Sequence, residues 1–99
     1  MKESRTYHVY ILTNERHTIF HTGVTDNLRR RIERQERSQV SGSTGKDDVD
    51  KLVFAEPHSH VERAVAREKQ IKSGSRQKKV DLINEMNPEW RDLSDEVWD

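Results

Sequence analysis

The chain has no cysteine, only two prolines and four glycines, and 6% aromatic residues among 99 positions. Without cysteine there is no disulfide framework and no thiolate-bound zinc, and such a composition suits a reducing compartment. Apolar residues make up 30% of the chain, and no run of them approaches the roughly 18 that a membrane span requires. The opening MKESRTYHVY lacks the apolar stretch of a signal peptide, so a cytoplasmic protein with no membrane partner is expected. So few apolar residues fill one thin core, and residues 1–99 read as a single domain.

Charge, by contrast, is abundant: 36% of residues carry it, and the formal sum is zero. The distribution is uneven. Residues 27–46 hold six basic side chains against two acidic, and residues 67–79 hold six against one. The last twenty residues hold seven acids against Arg91. Two basic blocks and an acidic tail make a polar surface that attracts anions at one place and repels them at another, unless both are ordinary solvated helix faces.

Residues 6–13 (TYHVYILT) alternate and are rich in β-branched and aromatic types, which predicts a strand with Tyr7, Val9 and Ile11 on one face. His8, Tyr10 and Leu12 lie on the other. Asn14-Glu15-Arg16 reads as a turn and residues 18–24 as the returning strand. A four-residue loop sets Thr13 against Thr18 and Tyr10 against His21, and a one-residue slip would part them. Thr25-Asp26-Asn27 offers caps for a helix to about Arg37, with Leu28 and Ile32 inward. Residues 38–48 are Ser/Gly-rich loop, and residues 51–56 form a third strand that Pro57 stops. A capping box from Ser59 to Glu62 opens a second helix with the stripe Val61, Ala64, Val65, Glu68, Ile71. Ser73-Gly74 ends it. Ser75 caps a third helix carrying Val80, Leu82, Ile83 and Met86, which Asn87-Pro88 terminates. Trp90, Leu93 and Trp98 are spaced to dock the tail on the body. The class is α+β: a three-stranded, largely antiparallel sheet flanked by helices, in the order β-β-α-β-α-α.

Two charges stand where apolar residues belong: Arg31 on the Leu28/Ile32 stripe, and Glu68 between Val65 and Ile71. An unpaired buried charge is costly, so each needs a partner, a ligand or a cleft. An Arg31–Glu68 salt bridge is one solution. The other gives Glu68 a hard cation, Mg²⁺ or Mn²⁺, and Arg31 a phosphate. His21, beside Gly23, is a structural histidine or a general base suited to neutral pH. Tyr10 either packs or hydrogen-bonds a phosphate. Thr44-Gly45-Lys46 fails as a phosphate loop, because Val40 and Asp47 occupy required positions. His58-Ser59-His60 has no third ligand to make a metal site.

Taken together, HVYILTN (8–14), HTGVTDNLRRRI (21–32), KLVFAE (51–56), AVAREKQIK (64–72) and NPEW (87–90) resemble the GIY-YIG nuclease superfamily, particularly its small single-domain bacterial branch. The AREKQIK and NPEWRDLS blocks are the most specific. The resemblance implies a GIY-YIG-like fold and cleavage of phosphodiesters with one divalent metal. It puts the first signature triplet on His8-Val9-Tyr10, with histidine for glycine. The second falls on His21-Thr22-Gly23, with histidine for the tyrosine placed near the attacking water. The helix arginine matches Arg31 and the metal-binding glutamate matches Glu68. Gln35 stands where a histidine is common.

The implied activity is that of a divalent-metal-dependent endonuclease, a hydrolase of nucleic-acid phosphodiesters, with Tyr10, His21, Arg31 and Glu68 catalytic. Glu68 holds Mg²⁺ or Mn²⁺, while Arg29, Arg30, Arg34 and Lys78 bind nucleic acid, DNA ahead of RNA. One alternative is a non-catalytic DNA- or RNA-binding module with an eroded nuclease site. Another is a protein-interaction domain using the acidic, Trp-containing tail. Relatives commonly take target choice from an attached domain; here a preference for substrate structure, or a protein partner supplying target choice, is expected.

Overall fold

In the computed structural model, residues 5–32 and 49–94 are described. Three strands, β1 (Tyr7–Thr13), β2 (Phe20–Thr25) and β3 (Lys51–His58), form one antiparallel sheet in the order β2-β1-β3. Residues 28–32 are helical (α1), and α2 (Val61–Ser73) and α3 (Arg76–Met86) follow β3. The predicted order β-β-α-β-α-α and the α+β class hold. Arg34, Gln35, the 38–48 segment, the end of α1 and Trp98 lie outside the described residues.

Strand β1 is central because both of its faces are apolar: Val9, Tyr10, Ile11 and Leu12 are all at most 3% exposed. Val9 and Ile11 pack with Ala64 and Ile71 of α2 and Ile83 of α3. Tyr10 and Leu12 pack with Leu28 and Ile32 of α1 and with Leu93 of the tail. The sheet therefore lies between α1 on one face and α2 with α3 on the other.

The hairpin register differs from the expected one by two residues. Tyr10 pairs with Gly23, Leu12 with His21 and Thr13 with Phe20. The cause is Asn14, which is fully buried. Its Oδ1 accepts from the backbone amides of Thr18 (2.8 Å) and Ile19 (3.1 Å), while Nδ2 donates to Thr18 Oγ1. His17 takes a left-handed conformation (φ 59°) and donates its amide to the Asn14 carbonyl. The side chain thus holds six residues, 14–19, as a loop where four were expected. A two-residue shift preserves facing, so Tyr10 and His21 still share a face.

Other expectations fail locally. Pro57 does not stop β3: the strand runs on to His58 with Pro57 opposite His8, and it lies at the edge of the sheet, where proline is tolerated. The Ser59–Glu62 capping box does not form: α2 starts one residue later, with His60 as its N-cap and no side-chain cap bond. In that frame Val61 is 41% exposed, so the buried stripe begins at Ala64. Met86, at 50%, is likewise outside the core. Ser75 caps α3 as expected, accepting from the Lys78 amide at 3.2 Å, and Asn87 closes it.

The tail fastens the β3 edge. Asp92 Oδ1 accepts from the Leu52 amide, and Asn87 Nδ2 donates to the Val53 carbonyl. Trp90 stacks 4.5 Å from the His17 ring and donates to Asn84. Among the described residues no helix is long and apolar enough to cross a membrane.

Replacing Asn14 by alanine leaves two amides of a closed loop without their acceptor, which costs about 1–3 kcal/mol for each group so stranded. Urea unfolding of Asn14→Ala is expected to show a loss of about 2–4 kcal/mol at unchanged slope.

Candidate active site

Three of the four predicted catalytic side chains meet on the α1 face of the hairpin. Arg31 Nε donates to the Tyr10 hydroxyl at 2.7 Å, and the guanidinium carbon lies 5.8 Å from the Tyr10 ring centroid. Arg31 Nη2 is 3.4 Å from His21 Nε2. An arginine only donates, so Nε2 is the accepting nitrogen and its proton sits on Nδ1.

Local sequence explains the convergence. Asn27 Oδ1 accepts from the Arg30 amide, which starts α1 at residue 28. Leu28 and Ile32 then turn inward, and Arg31, one residue before Ile32, reaches the border of that buried face. The Tyr10 ring lies across the strand from Gly23. A Cβ at position 23 would stand 2.7 Å from Tyr10 Cζ and closer still to the hydroxyl oxygen. Gly23 is there because the tyrosine lies where its side chain would be.

Glu68 stands one helical turn from both Ala64 and Ile71, the buried residues of α2, and its side chain is 16% exposed. It does not pair with Arg31; Lys72 Nζ lies 2.8 Å from its carboxylate. The charge of Lys72 also bears on His21. The His21 pKa is lowered by burial first, then by the charges of Arg31 and Lys72. All three effects disfavour the imidazolium. Sequence reading missed Lys72, although its i,i+4 spacing from Glu68 was the available signal.

His8, in the first triplet, has a lowered pKa from burial and from His58, and its Nδ1 is buried without a partner among the described residues. It is a packed neutral imidazole. A separate ion group, Glu56 with His58 and Arg67, ties β3 to α2. Burial pushes the Glu56 carboxyl up, but hydrogen bonds from His58 and Arg67 outweigh it and hold it below the usual range.

The basic residues do not gather on one surface. Arg30 lines a small cavity beside Arg31, whereas Lys78 lines a groove between α2 and α3, across the sheet. Arg29 has a partner of its own. The groove is the larger cavity, but it contains none of the Tyr10, His21 and Arg31 group.

Among the described residues no three His, Asp or Glu side chains come together. A metal cage is therefore not what Glu68 offers. One carboxylate suits Mg²⁺ or Mn²⁺, which keep most of their waters and take further oxygens from a substrate phosphate. The donor set fits such an ion once Lys72 releases the carboxylate.

The family model of the GIY-YIG catalytic domain matches residues 6–81. The chain belongs to the GIY-YIG family. Tyr10, His21, Arg31 and Glu68 all lie within the matched residues. A similar solved structure is that of the UPF0213 protein BH0048 from Bacillus halodurans, determined by solution NMR. It is 25% identical, with a TM-score of 0.58, and the match covers 89% of this chain and 93% of that one. No curated protein matches this chain. GIY-YIG membership implies a nuclease-type function and a nucleic-acid substrate, and members of the family generally use divalent metal ions.

Gly23→Ala tests the packing under the site. The added methyl forces the Tyr10 ring to move, at about 1–3 kcal/mol for overpacking. The expected result is a lowered melting temperature together with displaced Tyr10 ring resonances in the NMR spectrum.

Proposed function

We propose that this GIY-YIG chain is a divalent-metal-dependent endonuclease that hydrolyses nucleic-acid phosphodiesters. The observation that carries the reading is the contact of Arg31 with both the Tyr10 hydroxyl and His21 Nε2. A phenol that accepts from a guanidinium keeps its own proton to donate. Tyr10 and the remaining Arg31 N–H groups therefore present a fork of donors for phosphate oxygens. His21, with its protonated form disfavoured beside this fork, takes a proton from the water that attacks phosphorus, and the P–O bond to the leaving strand breaks as the new one forms, the released oxygen taking a proton from solvent. The charge gathering on the phosphate oxygens is met by Arg31 and by the Tyr10 hydroxyl. Glu68 is the residue that would hold Mg²⁺ or Mn²⁺, with Lys72 beside it. Bound there, the cation supplies Lewis-acid stabilisation of developing negative charge.

DNA ahead of RNA as substrate, a protein partner that supplies target choice, and a cytoplasmic location consistent with the cysteine-free composition belong to the same proposal. A second reading, a nucleic-acid-binding module that no longer cuts, is favoured by Lys72, which already neutralises Glu68.

Cleavage of single-stranded, duplex and branched DNA and of RNA, with Mg²⁺ or Mn²⁺, separates the two. Metal-dependent cutting that vanishes in Glu68→Ala is expected. Cutting that persists in that variant with unchanged metal affinity would sink the proposal. Salt-sensitive binding without any cutting would establish the second reading.

The pH profile of cleavage reports His21. The base acts only when deprotonated, and its pKa lies below the ordinary 6.5, so kcat/KM should be level at neutral pH and fall on acidification below that value. His21→Ala is expected to lose about 10²–10⁴ in kcat and with it the acidic limb. His21→Tyr, which restores the family residue, should recover part of the rate.

A further inference from the structure

Glu68 and Lys72 stand one turn apart on α2, so their side chains meet on the same helix face, with Nζ 2.8 Å from Oε2. Their surroundings differ. The Glu68 side chain is 16% exposed and that of Lys72 is 56% exposed, so the carboxylate is held against the body while the ammonium covers it from the solvent side.

A carboxylate that carries an ammonium is a poor ligand. The pair sums to zero charge, and a divalent cation that arrives at Glu68 meets Nζ at close range. The contact also occupies Lys72, because an N–H that points at Oε2 is not offered to an anion. Yet the charge of Lys72 is felt at His21, within electrostatic reach of the group where Arg31 and Tyr10 present their donors. Its unbranched stem is more than half exposed, so the ammonium can turn from Glu68 without disturbing Ala64 and Ile71, the buried residues of the helix.

We propose that the Glu68–Lys72 pair is a two-way mask, in which Lys72 keeps a divalent cation off Glu68 and Glu68 keeps Lys72 off phosphate. Each is released when the other finds its ligand, so a cation on Glu68 frees an ammonium for a strand beside His21. Lys72 is a positioning residue that sets how readily the site takes its metal. The inference rests on the nuclease reading for the cation at Glu68, whereas the masking of Lys72 is tested with no metal present.

Two titrations test the mask, and neither requires cleavage. In the first, Mn²⁺ alone is added to the wild type and to single variants, and free Mn²⁺ is read by electron paramagnetic resonance. Lys72→Met keeps the stem and removes the charge. It should bind Mn²⁺ roughly tenfold more tightly at low salt, a gain that shrinks as salt screens the pair. Lys72→Arg should stay near the wild type. Lys69→Met, which removes the exposed charge that follows Glu68 in the chain, should change the affinity by no more than about twofold. In the second, an oligonucleotide duplex is bound without divalent metal as a function of salt. Glu68→Gln should steepen the slope of log K against log salt by about 1, as one further phosphate contact does. The double variant, Glu68→Gln with Lys72→Met, should return to the wild-type slope. Equal Mn²⁺ affinity in the wild type and Lys72→Met, or equal gains in Lys72→Met and Lys69→Met, would overturn the mask. So would a Glu68→Gln slope that stays at the wild-type value or survives in the double variant. If Glu68→Gln loses Mn²⁺ in that case, the metal reading stands without the mask. Mn²⁺ binding that Glu68→Gln leaves intact ends both.

Discussion

Because β1 is apolar on both faces, it is stable only at the centre of the sheet with a helix over each face. That burial fixes the rest. It sends β2 and β3 to the edges, puts α1 on one side and α2 with α3 on the other, and leaves the hairpin as the meeting place of both layers. Tyr10 is part of this core and part of the site at once. Its ring is 3% exposed and packs with Leu12, Leu28 and Ile32, while its hydroxyl accepts from Arg31. The geometry of the Tyr10–Arg31 contact is thus held by the same packing that holds the domain together, which is how a chain with so thin a core keeps a candidate site in register.

The electrostatics of the site follow from its position at the rim of that packing. Arg31 and Lys72 both bear on His21, and burial acts in the same direction as their charges. In the proposed mechanism, the cations that attract a phosphate also disfavour the protonated imidazole, so one arrangement would serve both binding and proton removal. The Glu68–Lys72 pair has a different character. It places a carboxylate and an ammonium side by side on a half-covered helix face, where each neutralises the other.

Much of this was legible because misplaced charges are conspicuous. Arg31 and Glu68 stood out on apolar stripes, and the structure gives each a polar partner, though not each other. The side chains that set details were harder to read. Asn14 looks like an ordinary turn residue, yet its amide lengthens the loop and shifts the register by two. His60 rather than Ser59 begins α2, because cap choice depends on where the preceding strand releases the chain. Pro57 reads as a strand terminator until the strand is known to be an edge, and strand order is a tertiary fact. Linear charge runs likewise do not say which side of a sheet a helix occupies, so Arg30 and Lys78 were grouped although the fold separates them.

The pairing of Tyr10 with Gly23 ties two positions in evolution as well as in space. While a ring is retained at position 10, any side chain at position 23 has to displace that ring, and a larger one displaces it further. Once the ring shrinks, that restriction lifts and the glycine becomes one choice among several. The two positions are therefore physically coupled, and a change at one is felt at the other through the ring that fills the space between them.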